Sequence, residues 1–72
     1  MAEVMLKVEG INSDDSRLAV TNALRKYSGV LEVDFSPGGG ALRVRYEPSN
    51  ILAEDLKETI QQEGYRVTSV RH

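Results

Sequence analysis

Apolar residues alternate with polar ones at the start of the chain: Val4, Leu6 and Val8 against Met5, Lys7 and Glu9. Period two with one apolar side predicts a half-buried strand, and Gly10 ends it. Ile11-Asn12-Ser13-Asp14-Asp15-Ser16 follows as a mostly polar connection. The period then changes. Ser16, Val20, Ala23, Leu24 and Tyr27 fall on one helical stripe, with Arg17, Thr21, Asn22, Arg25 and Lys26 outside it. Ser13 is the expected N-cap, and Asp14 and Asp15 in the first turn suit the positive end of the helix dipole. Arg25 and Lys26 suit the other end, and Gly29 is expected in the left-handed position beyond it.

Leu31, Val33 and Phe35 alternate with Glu32 and Asp34, and Leu42, Val44 and Tyr46 with Arg43, Arg45 and Glu47. These are two further strands, and the short Ser36-Pro37-Gly38-Gly39-Gly40 connection makes them a hairpin. Pro48 closes the third strand. A second helix is expected to begin between Ser49 and Ala53, with Ile51 or Leu52, Leu56 and Ile60 on its apolar side and Gly64 marking its end. Tyr65, Val67 and Ser69 or Val70 form a last short strand. The order is β-α-β-β-α-β. Two βαβ units sharing a hairpin give an α+β, ferredoxin-like sandwich: a four-stranded antiparallel sheet with both helices on one face. The second sheet face would carry Lys7, Glu9, Glu32, Asp34, Arg43, Arg45 and Glu47 as a solvated, mixed-charge surface.

Composition narrows the function more than the fold. The chain has 72 residues, which is one domain, 1–72. Nine basic against eleven acidic side chains leave a net charge of -2, too mixed for a dedicated nucleic-acid or polybasic membrane binder. No apolar run approaches the roughly 18 residues of a membrane span, and Met1 to Glu9 lacks the apolar stretch of a secretory signal. The cytoplasm is the expected compartment. Phe35 and Tyr46 sit on the core phase, so no stacking platform for RNA is expected. Gly38-Gly39-Gly40 is not a phosphate loop, because no helix and no Lys-Ser/Thr follow it. No Ser has a His partner other than terminal His72, so no nucleophile–base pair is formed and no enzyme is expected. There is no cysteine, which excludes disulfides, thiolate metal sites and thiol nucleophiles.

Leu6-Lys7-Val8-Glu9-Gly10-Ile11, then Ala19-Val20-x-x-Ala23-Leu24, Tyr27-Ser28-Gly29-Val30 and Glu32-Val33, form one ordered set. Val44-x-Tyr46-Glu47-Pro48, Leu56-Lys57-Glu58-x-Ile60 and Glu63-Gly64-Tyr65-x-Val67 complete it. Together they resemble the heavy-metal-associated domain, found as small copper chaperones and as N-terminal modules of P-type metal-transporting ATPases. The resemblance runs from Val4 to about Val67. It implies a metal motif, Met-x-Cys-x-x-Cys, at Ile11 to Ser16, with both ligand positions occupied by serine, at Ser13 and Ser16. A neutral hydroxyl does not replace the thiolate that soft cations select. Ile11 at the Met position and the Asp14-Asp15 pair between the serines point to natural divergence rather than to exchange of the cysteines alone.

The resemblance therefore implies a non-catalytic binding module without a cofactor, related to metal transport but without its sulfur ligands. In the family, the metal loop and the start of the first helix face the partner, an ATPase domain or a second chaperone. Here that face is Asn12, Asp14, Asp15 and Arg17 with Tyr65, a position that lies close to the metal in bacterial chaperones of the family. Its two aspartates make it acidic and suit a basic partner. Monomers are expected, with an edge strand or exposed loop as the place for a weak dimer contact. The alternative is a weak, non-thiolate metal carrier drawing on Asp14, Asp15 and His72. Adjacent aspartates in a first helical turn point about 100° apart, however, and do not chelate together readily. A third reading is a folded piece of a larger protein with no activity of its own.

Overall fold

The alternation at Val4, Leu6 and Val8 becomes a central strand, paired over Ala2–Lys7 on one side and Met5–Glu9 on the other. A computed structural model describes residues 1–38 and 40–71 of the chain; Gly39 and the candidate ligand His72 lie outside the described residues. The elements are β1 (Ala2–Glu9), α1 (Asp14–Arg25), β2 (Val30–Phe35), β3 (Ala41–Tyr46), α2 (Ala53–Gln62) and β4 (Arg66–Arg71). The sheet order is β2-β3-β1-β4, with all neighbours antiparallel. This is the ferredoxin-like βαββαβ sandwich expected from the alternation. The two helices pack against each other and contribute Val20, Leu24, Leu56 and Ile60 to one core with Val4, Leu6, Val8, Leu42, Val44 and Tyr46. Each strand presents a single apolar face, so one layer of helices is enough to bury it.

The second face of the sheet is the charged one. Arg43 stands between Asp34 at 3.4 Å and Glu3 at 3.9 Å, Arg45 lies 3.6 Å from Glu32, and Arg66 lies 3.9 Å from Glu9. Cross-strand opposite charges favour this register by a fraction of a kcal/mol per pair. Glu3 belongs to this ladder although the sequence pattern did not single it out.

Two sequence expectations change, and one open choice is decided. Leu31 is not a core residue. The β2–β3 register shifts between Val30 and Glu32, so Val30, Val33 and Phe35 pack against the core and Leu31 is 49% exposed. An extra residue in one strand reverses the faces of those beyond it. Of Ile51 and Leu52, both open from the sequence, it is Ile51, two residues before α2, that is buried. Gly29 does not take the left-handed conformation; the positive-φ glycines among the described residues are Gly10, Gly38 and Gly64. Gly29 serves close packing instead. Its carbonyl accepts the Glu47 N–H at 2.7 Å, and a Cβ built on it would meet Asn50 Cβ and Ile51 Cγ2 at 2.9 Å. Neither contact is the loose end of a flexible side chain. Gly29→Ala is therefore expected to lose roughly 1–3 kcal/mol of stability in a denaturant titration, as overpacked sites do, while Gly40→Ala, with open space around it, falls within about 0.5 kcal/mol.

Candidate functional site

The junction between β1 and α1 is built from a turn, an anchor and a cap. Gly10 has φ of +99°, a conformation side chains rarely adopt, and it turns the chain at the end of β1. Ile11 then enters the core, only 6% exposed. It ties down a loop whose next two residues, Asn12 and Ser13, are exposed. Ser13 is extended, with φ -147° and ψ 164°, and is the N-cap of α1. Its Oγ accepts the Ser16 N–H at 3.1 Å, and its carbonyl accepts the Arg17 N–H at 3.1 Å. The Ser13 and Ser16 hydroxyls lie 3.0 Å apart. Residues three apart on the first turn share a face, so the two side chains converge. What converges is a pair of neutral hydroxyls, already engaged with the helix end and with each other.

Asp14 and Asp15 begin α1, and both are exposed. Asp14 does not present a bare charge. The Arg17 Nη2 is paired with the Asp14 carboxylate one turn on, so the acidity read from the sequence concentrates at Asp15. Tyr65 follows Gly64, which has φ of +97°, and directly precedes β4. Tyr65 is half-buried against the core, and its ring covers Gly10: a Cβ there would lie 3.3 Å from the ring edge. The structure thus brings Tyr65 against Gly10 across more than fifty residues of chain, at the end of β1 from which the Asn12–Arg17 segment leads into α1.

Leu18 was not on the sequence-derived face. It stands on α1 three residues from Asp15 and four from Asp14, and is 58% exposed. Its absence from the Val20–Leu24 stripe was the available signal. Among the described residues no three His, Asp or Glu side chains are grouped to hold a metal ion, and no helix is long and apolar enough to cross a membrane.

Residues 5–66 match the heavy-metal-associated domain family model, a span that includes the whole junction. The copper chaperone CopZ of Staphylococcus epidermidis is 36% identical over 67 residues, covering 93% of this chain and 98% of that protein. The solved structure of a CopZ metallochaperone superimposes with a TM-score of 0.88 at 30% identity, covering 93% of this chain and 100% of the other. A copper-binding domain from the P-type ATPase HMA7 shares the fold, with a TM-score of 0.86 at 22% identity and 97% of each chain covered. A match across most of the chain, on the fold its alternation dictates, places it by descent: the chain belongs to the heavy-metal-associated domain family.

Proposed function

We propose that this chain is a non-catalytic heavy-metal-associated module that lacks the family's thiolate ligands and acts as a docking or regulatory domain in metal handling. The observation that carries the reading is the Ser13–Ser16 pair. The two side chains converge at 3.0 Å on the loop–helix junction of a chain without cysteine. Their oxygens are hard and neutral, and soft monovalent copper selects sulfur. The positions serve as helix cap and hydrogen-bond partner. What the junction retains is a presented surface: Asn12, Asp14, Asp15 and Arg17 on an anchored loop and helix start, with Tyr65 beside them.

The partner classes are those among the relatives, a copper chaperone or a P-type ATPase domain, met through a basic patch. Exposed complementary charge acts mainly on the rate and specificity of encounter. The test uses the heavy-metal-associated domain of a P-type ATPase from the same organism as probe. Replacing Asp14 and Asp15 together with lysine is expected to slow association about tenfold at low ionic strength and to flatten or invert its salt dependence. An unchanged rate with an unchanged salt slope would show that this face does not dock.

A further inference from the structure

At the opposite end of β1 a second surface is exposed. A groove of about 320 Å³ opens between the end of β3 and the start of α2, with Tyr46, Pro48, Ile51 and Val70 among its walls. Leu52 forms its lip and is 62% exposed. Leu52 is also the N-cap of α2. Leucine is among the poorest residues for that position, since it has no oxygen to accept an N–H of the first turn. Asp55 accepts the Leu52 N–H at 3.1 Å and the Leu52 carbonyl accepts the Asp55 N–H at 3.0 Å, but the leucine side chain offers no acceptor to the first turn. One residue thus combines the lack of a side-chain cap with an exposed apolar side chain, both unfavourable for the isolated fold, at the edge of an apolar groove.

The rim of the groove bears one charge of each sign, Glu54 and Lys57. Neither forms an ion pair with another described residue. A two-fold axis makes residue i of one copy meet residue j of the other, and j meet i. A face with an apolar centre, a protruding leucine and one acid beside one base complements itself under that operation. We infer that this groove is a self-association surface, in which Leu52 of each of two copies seats in the groove of the other and Glu54 of each faces Lys57 of the other. The area is small, so the contact is weak and leaves the chain monomeric at micromolar concentration. Tyr46 on its wall pairs with Ala2, at the end of β1 away from Gly10, and no lining residue belongs to the Asn12–Arg17 junction, so the groove is separate from the docking face proposed above.

Sedimentation and amide shifts of the full chain, followed up to about 1 mM, test this. The wild type is expected to self-associate, with shifts confined to the groove residues. Leu52→Asp should weaken association at least tenfold while raising Tm by roughly 2–6 °C, because aspartate caps the helix that leucine does not; a residue needed only for folding would move Tm the other way. Glu54→Lys and Lys57→Glu should each lose self-association, because each places like charges face to face in both halves of the contact. Mixed one to one, the two variants should associate as tightly as the wild type, since every facing pair is then opposite. The docking variant with Asp14 and Asp15 reversed should self-associate unchanged, whether or not it fails to dock. A wild type that stays monomeric at 1 mM with no concentration-dependent shifts overturns the proposal. So does a mixture that associates no better than either variant alone, and so does a Leu52→Asp variant that associates normally.

Discussion

Replacing Ser13 and Ser16 together with cysteine is expected to create a tight Cu(I) site that the serine-bearing wild type is expected to lack. A gain of at least about a thousandfold in affinity, roughly 4 kcal/mol, is expected in competition against a Cu(I) chelator. Three features of the junction support the magnitude. The two side chains already converge from one helical turn, with their oxygens 3.0 Å apart. The turn is held by Ile11 in the core and by Gly10 under Tyr65, so little ordering is left to be done on binding. A thiol at a helix N-terminus has a lowered pKa, which supplies the thiolate the metal requires. Either cysteine alone should give only a small part of the gain, because one sulfur leaves the ion half-ligated. If the double variant bound copper no better than the wild type, the correspondence between Ile11–Ser16 and the family's metal motif would be wrong, although the fold would stand.

The second large effect is on stability. Leu24→Ala is expected to remove about 3 kcal/mol, within the usual 2–5 for a buried leucine. Leu24 is fully buried on α1 between the sheet and α2. For a domain of this size each kcal/mol moves Tm by roughly 4–8 °C, so thermal unfolding monitored by circular dichroism should shift down by about 12–24 °C. Leu18→Ala, six residues earlier on the same helix, removes a side chain that is 58% exposed and should change stability by no more than about 0.5 kcal/mol. Equal losses at the two positions would contradict the packing of α1 described above.

That contrast was legible in the sequence. Leu24 lies on the stripe with Val20 and Ala23, and Leu18 does not. The alternation of β1 and β3, the Ser13 cap and the helix punctuation at Gly64 were equally legible, because each depends on residues a few positions apart. What could not be read depends on neighbours far along the chain. Val30 and Leu31 are both apolar, so alternation cannot say which faces the core; the shifted pairing with β3 decides, and it selects Val30. Gly29 looks like a helix terminator, and its actual constraint comes from Asn50 and Ile51, some twenty residues on. Both Ile51 and Leu52 suit the start of α2, and only the assembled groove shows Leu52 left outside.

The candidate site divides along the same line. Ser13, Asp14, Asp15, Ser16 and Arg17 are contiguous, and their place at a loop–helix junction follows from local pattern. The pairing of Asp14 with Arg17 was accessible from their spacing, yet its consequence, an acidity centred on Asp15, emerges only with the side chains placed. Tyr65 reaches the loop through the antiparallel pairing of β1 with β4, which no local pattern contains.

On this reading the junction presents a surface without a sulfur site. Anaerobic titration of the wild-type chain with Cu(I) against a competing chelator, with amide shifts recorded in parallel, tests it most directly. No copper is expected to be retained at micromolar competition, and no shifts are expected across Asn12–Arg17 or at Tyr65. One equivalent of Cu(I) held per chain, with shifts concentrated in that loop, would contradict it.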